Sequence, residues 1–244
     1  MRVSRNEMIA ALSRAYEGAG HQTGDYEDAA QLITWSHMCG LGGIERITLP
    51  PEAPKGGVAP RLDYENAGLA VIDAGGAEVC EHGSLASDLA FAKAQETGFA
   101  IVELANCRDP GLILRSLSLV AQKGVYIGAY WSDQIGMHGA SFESGAVFPN
   151  YWRVEQAGAG KEASALFIVC TTQAALLADA VTRQAEHPEL QRFEVTAAQL
   201  AANYDQSLER GISVSSDHWS ALNAAAWPIL VLSDDKSRAG AGPA

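Results

Sequence analysis

The sequence predicts an α/β fold: a mixed β-sheet flanked by helices, with an N-terminal helical pair and C-terminal helices. Three observations carry this. From Leu69 to Trp131 short apolar runs alternate with amphipathic stretches in a strand–helix–strand–helix–strand rhythm. Two stretches with helix start and stop signals precede that region, and two more follow it. Between them lie two strand-like runs close enough in sequence to pair antiparallel, which makes the sheet mixed.

The elements follow in order. Ser4 and Glu7 form a capping box ahead of apolar positions Met8, Leu12, Ala15 and Tyr16, which share one helix face; Gly18 and Gly20 stop that helix. A second helix runs from near Asp25 through Ala29, Leu32, Ile33 and Trp35 to Gly40. Thr48 to Arg61 contains "LPPEAPKGGVAP", an irregular connector. "LAVIDA" (Leu69–Ala74) reads as a buried strand, Ser84–Thr97 as a helix ending at Gly98, and "FAIVELA" (Phe99–Ala105) as a strand. Pro110–Lys123 reads as a helix with proline in its first turn, and "VYIGAYW" (Val125–Trp131) as a strand. "AVFPNYWRVEQ" and "ALFIVCTT" read as an antiparallel pair joined by a hairpin turn, "AGAGKEA". Thr196 and Gln199 cap a helix that runs to Gly211, and Ser215 or Ser216 caps another that runs to about Trp227. The tail "SDDKSRAGAGPA" reads as frayed. The chain is thus expected to be one compact unit over residues 1–244. It divides into a helical arm (1–47), a connector (48–66), an α/β core (67–172) and a C-terminal helical part (173–244).

Composition narrows the function classes. The 244 residues carry a net charge of −12, which opposes nucleic acid as a partner. No apolar run approaches the ~20 residues of a membrane span. The first ten residues lack an apolar signal core, so a cytoplasmic location is expected. Cys39, Cys80, Cys107 and Cys170 form no CxxC pair and read as reduced, mostly buried thiols. No metal is expected.

The stretch "WSHMCGLGGIER" (Trp35–Arg46) mixes a histidine, a cysteine and glycines. His37 and Cys39 would point to different faces of a helix, which argues against shared metal ligation. "GLGG" follows no strand and reads as a helix cap with a tight turn. His82 reads as a loop histidine ahead of a helix. "SDQIGMHGASFESG" (Ser132–Gly145) reads as a loop at a strand end, where sites often lie, and it offers Asp133, His138 and Glu143 for acid–base work.

Three segments together resemble the type-2 malate/L-lactate dehydrogenase family. "GLGGIERI" is similar to a motif that reads aspartate-serine-histidine-glycine, an aliphatic, any residue, then arginine; Gly43, Ile44 and Arg46 match it. "AGLAVIDAGGAEVCEHGSLASDLAFAKAQETGFAIVELANCRDPG" is similar to the family's strand, helix and asparagine turn, through Asp73, Ala92, Lys93, Ala94, Gly98, Asn106 and Gly111. "GVYIGAYWSD" is similar to the next strand, with small polar residues near the cofactor. The whole chain also resembles a bacterial family of unknown function related to those dehydrogenases, including its ending at Ser237, Arg238, Gly240, Ala241 and Gly242.

The resemblance implies a non-Rossmann fold, reduction of small 2-oxo or cyclic imino acids with NAD or NADP, and a homodimer with active sites near the subunit interface. It implies Arg46 and Asn106 for a small carboxylate substrate, and Asn106, Arg108, Gly111 and Ser132 for the cofactor. Two departures matter. The resemblance puts Gly42 where the family keeps its proton-donating histidine, and "NCRDPG" puts Asp109 or a neighbour where a second histidine lies near the nicotinamide. A ketone reduction needs an acid for the developing alkoxide, and glycine has no proton to give. Three readings stay open: a reductase whose acid has moved to His37, His82 or His138; a hydrolase, lyase or isomerase using Asp109, Asp133, Glu143 or His138; or a non-catalytic binding subunit.

Overall fold

The computed structural model describes residues 1–49, 51, 59–155, 164–182 and 192–229. In chain order the strands are β1 (Arg2–Val3), β2 (Arg61–Glu65), β3 (Leu69–Asp73), β4 (Phe99–Cys107), β5 (Tyr126–Ser132), β6 (Gly136–Phe142), β7 (Asn150–Glu155), β8 (Ser164–Thr171), β9 (Arg192–Val195) and β10 (Ile212–Ser213). The α-helices are α1 (Arg5–Gly18), α2 (Thr23–Met38), α3 (Val79–Thr97), α4 (Leu114–Ala121), α5 (Ala174–Leu177), α6 (Ala197–Arg210) and α7 (Ser216–Ala225). The main sheet has the order β2-β3-β4-β8-β5-β6-β7-β9, and β1 pairs separately with β10. Only β3 and β4 run parallel, so the sheet is mixed and the fold is α/β as expected.

The caps read from the sequence are formed. The Ser4–Glu7 and Thr196–Gln199 boxes both close reciprocally, and Ser215 accepts from the His218 amide at 3.0 Å. Each such cap stabilises its helix by ~1 kcal/mol. α3 begins five residues earlier than expected, at Val79, because Glu78 and Glu81 form a box in which a carboxylate replaces the usual hydroxyl. His82 is therefore a helical residue, not a loop one. The expected helix from Pro110 opens as a 3-10 turn, Pro110–Ile113, before α4.

The central apolar face of the sheet packs on the helices. Ile72, Val102, Leu104, Ile127, Ile168 and Phe142 are buried in one core with Met8, Leu12 and Ile33 of the N-terminal pair. The alternation is clean in β3 and β4, whose other-face residues are half-buried.

Three expectations are corrected. β7 and β8 exist but do not pair: β8 inserts between β4 and β5, antiparallel to both, while β7 pairs with β6 and β9. A central strand needs a partner on each side and cover on both faces, and apolar "ALFIVC" suits that place better than polar "NYWRVE". The turn between them, like the frayed tail and most of the connector, lies outside the described residues. The stretch from Ser132 to Gly145 is a β-hairpin arm rather than a loop, so His138 sits in β6. Strands β2, in the expected connector, and β9, in the expected helical part, are unexpected: "RLDYE" and "RFEV" alternate polar and apolar residues but are mostly exposed, and β2 is held by its ladder with β3 and by the Arg61–Asp73 and Lys93–Glu65 ion pairs. Among the described residues no helix is long and apolar enough to cross a membrane.

Gly43 shows how tightly the turn after α2 is packed. A Cβ there would lie 2.2 Å from the Ile33 carbonyl oxygen and 2.7 Å from the His37 Cβ. Gly43→Ala is expected to lose about 1–3 kcal/mol or more in urea unfolding. Gly145→Ala, whose Cβ would meet nothing within 4 Å, is expected to lose only the ~1 kcal/mol of its left-handed φ of +81°. Equal losses would refute the packing account.

Candidate active site

The site starts where α2 ends. Gly40 and Gly42 take left-handed φ values of +77° and +73°, and the chain then turns so that the Arg46 amide bonds the Gly43 carbonyl at 3.0 Å. Arg46 Nε donates to the Leu41 carbonyl at 2.9 Å. A Cβ on Gly42 would stand 3.4 Å from that Nε. Beside the turn, His37 Nδ1 lies 3.1 Å from Glu45 Oε2 and Nε2 lies 3.0 Å from the Ser213 carbonyl. Both neighbours are acceptors only, so both bonds form together only when His37 is an imidazolium. Its hydrogen bond with His37 pulls the Glu45 carboxyl down to about 2. Burial would lower His37, but the Glu45 and Ser213 hydrogen bonds and the Glu45 charge outweigh it and hold it above its ordinary value.

The β5–β6 hairpin supplies the opposite wall. His138 is fully buried. Its Nε2 lies 2.8 Å from Asp133 Oδ1 and its Nδ1 lies 2.6 Å from the Tyr151 hydroxyl on β7. The Trp131 ring stacks on the imidazole at 5.3 Å and 3°. Asp133 Oδ1 also accepts the Ile135 amide at 2.8 Å. Burial raises the Asp133 carboxyl, but the His138 hydrogen bond and charge with two backbone amides hold it below the usual range. Burial pushes the Tyr151 hydroxyl up to about 12, against the pull of Arg46 and Arg153. Arg46 faces the Tyr151 hydroxyl across the cavity floor and stands 3.9 Å from Asp133 Oδ2, so four side chains gather here. A cavity of about 400 Å³ opens over Arg46 and Tyr151, with Arg153, Gln199 and Asn203 also lining it.

The same architecture occurs in solved proteins. The fold matches a malate dehydrogenase from Pyrococcus horikoshii OT3 with a TM-score of 0.66 at 14% identity, over 95% of this chain and 96% of that one. The fold is that of the malate/lactate dehydrogenases. A dehydrogenase from Sinorhizobium meliloti matches with a TM-score of 0.69 at 12% identity, over 93% and 99% of the two chains. A sulfolactate dehydrogenase from Methanocaldococcus jannaschii matches with a TM-score of 0.64 at 10% identity, over 92% and 96%. Residues 3–96 match the model of a family described as "Protein of unknown function (DUF3726)". Both findings agree with the resemblance read from the sequence. No curated protein matches the sequence.

On this dehydrogenase fold the sequence-read residues fall into two groups. Arg46, Asp133 and His138 come together, and Gly111 joins them: a Cβ there would lie 2.9 Å from Arg46 Nη1 and 3.4 Å from the Trp131 ring. Asn106, Arg108 and Asp109 lie on the far side of the Pro110 turn. Asn106, at φ +53°, donates to Asp73 at 2.9 Å. Arg108 donates to the Gly76 carbonyl at 3.0 Å and stands 3.8 Å from buried Glu78. Asp109, at φ +52°, adds its charge to that of Glu78, whose carboxyl burial raises and the Tyr16 hydroxyl partly restores. Ser132 is exposed at the end of β5.

These residues do not fit a nicotinamide dinucleotide. The donors of Asn106 and Arg108 already serve Asp73, Gly76 and Glu78; Asp73, Glu78 and Asp109 oppose a pyrophosphate; and the Arg46 guanidinium fills the space beside Gly111. Among the described residues no group of three or more metal-ligating side chains occurs. All four cysteines are buried and unpaired by disulfides, as expected. Sequence reasoning missed Tyr151, Trp131 and Arg153. The available signal was a strand pattern that puts Tyr151 and His138 on one buried face, visible only once β6 and β7 are known to be neighbours.

The His37–Glu45 pair has a pH signature. A depressed Glu45 stabilises the fold above pH 4.5 and loses that contribution as pH falls toward about 2. A raised His37 stabilises it below pH 6.5 and loses that contribution as pH rises through its folded value. Glu45→Gln is expected to flatten the urea-stability profile at both ends. A variant profile parallel to wild type would refute the pairing.

Proposed function

We propose that this chain is a diverged relative of the 2-oxo acid and imino acid reductases that binds a small 2-oxo carboxylate. The observation that carries this is the Arg46 guanidinium, held beside Tyr151 at the floor of the cavity. A guanidinium matches a carboxylate in two parallel hydrogen bonds, and its contact with Asp133, at 3.9 Å, is loose enough for a ligand to displace. In this reading Gly42 marks the absent proton-donating histidine, and Asp133 and His138 supply the acid–base capacity. Support for the substrate class comes from the shared fold with enzymes described as malate and sulfolactate dehydrogenases.

The test is calorimetric titration with oxamate and 2-oxobutyrate. Saturable binding is expected, weakened by about tenfold or more in Arg46→Ala, as for loss of a charge-assisted hydrogen bond of ~1.5–3 kcal/mol. Binding that Arg46→Ala leaves unchanged would move the carboxylate elsewhere. The shared fold also favours a second reading, a nicotinamide-dependent reductase; saturable quenching by NADH or NADPH would establish it over the first. Kinship further supports a homodimer, and a solution mass near 25.8 kDa by light scattering would remove that part.

A further inference from the structure

We propose that the Arg46 cavity enolises a small 2-oxo carboxylate without a nicotinamide, with Tyr151 as the acid that protonates the 2-oxygen. This rests on the carboxylate-binding reading above. It follows from which atoms can reach a ligand. His138 is fully buried and cannot touch one, but Tyr151 lines the cavity and lies 2.6 Å from His138 Nδ1. Nε2 lies 2.8 Å from Asp133 Oδ1, outside hydrogen-bond alignment; a bare nitrogen lone pair there would face the carboxylate's own lone pairs, so Nε2 is the ring nitrogen that carries a hydrogen. When Nδ1 carries one too, the Tyr151 oxygen accepts it. The phenolic hydrogen is then released from the imidazole and can be donated into the cavity.

The Asp133 carboxylate stands 2.8 Å from Nε2, and the Trp131 ring lies parallel to the imidazole at 5.3 Å. At the cavity, Arg46 and Arg153 are two cations beside the place where an enolate oxygen develops charge, and Glu194 also lines it. Asn106, Arg108 and Gly111, which would serve a hydride donor, are engaged with Asp73, Gly76, Glu78 and Arg46. Among the described residues the site therefore offers proton chemistry and no open dinucleotide cradle.

The step balances within these groups and water. The C3–H bond breaks and its proton leaves to a solvent water. Its electron pair forms the C2=C3 bond, and the carbonyl π pair moves to the 2-oxygen. That oxygen takes the Tyr151 hydrogen, and the Tyr151 oxygen takes the Nδ1 hydrogen of His138. The imidazole is left neutral, with its hydrogen on Nε2 beside Asp133. When the enol reverts to the ketone, solvent returns a proton to C3, the enol hydrogen passes back to the Tyr151 oxygen, and the Tyr151 hydrogen passes back to His138 Nδ1.

The experiment is 2-oxobutyrate in D₂O with the full chain and no nucleotide, followed by proton NMR at C3, with binding measured in parallel by calorimetry. Expected is C3 exchange well above a buffer blank, falling about a hundredfold or more in Tyr151→Phe while binding persists. Asp133→Asn, which removes the charge beside Nε2, is expected to lower the exchange rate at saturating 2-oxobutyrate while the half-saturating concentration stays put; an unchanged saturating rate would overturn its role. Binding without exchange overturns the enolisation and leaves the carboxylate reading intact. No binding at all overturns both. Wild-type exchange in Tyr151→Phe overturns Tyr151 as the acid, and oxidation of added NADH by 2-oxobutyrate overturns the cofactor-free step.

Discussion

The Arg46 guanidinium lies in a slot that two glycines leave open, and the site is arranged around that slot. Gly42 flanks its Nε and Gly111 its Nη1, at distances where a methyl group would press on or displace it. Leu41 fixes it from behind, and Tyr151 and Asp133 face it from the sheet. Gly42 thus has a positive structural reason to be glycine, independent of any lost side chain. Its φ of +73° disfavours a Cβ, and the arginine stem packs over it.

A buried histidine gains meaning from this arrangement. His138 joins a hairpin carboxylate to a phenol on the next strand, and both contacts are short. The pairing register puts His138 opposite Trp131 and one step diagonal to Tyr151, so sheet geometry alone brings the rings together. The strand order that sets the fold thus also sets the His138–Tyr151 contact.

Much of the fold was legible because its signals are local. Capping residues such as Ser4, Thr196 and Ser215 and the apolar alternation of β3 and β4 specify their elements within a few residues. β2 and β9 were illegible because each is only a few residues long, and the alternation in "RLDYE" and "RFEV" is too short to stand out from the polar sequence around it. The pairing of β8 was illegible because it depends on segments far away in the chain. In the site, Arg46, Asp133 and His138 could be singled out by residue type, whereas Tyr151 could not: nothing near it in sequence shows that it faces a histidine thirteen residues earlier.

The late position of β8 also bears on biosynthesis. It is the seam between β2-β3-β4 and β5-β6-β7-β9, yet it is made only after all but β9 of those strands have left the ribosome. Until then the growing chain presents two open sheet edges, at β4 and at β5, each rich in apolar side chains. Such edges invite pairing with another nascent chain, and closing them requires contacts of high sequence separation, which form slowly. This central strand is thus also the molecule's window of vulnerability to aggregation, and a translational pause before residue 164 would lengthen that window.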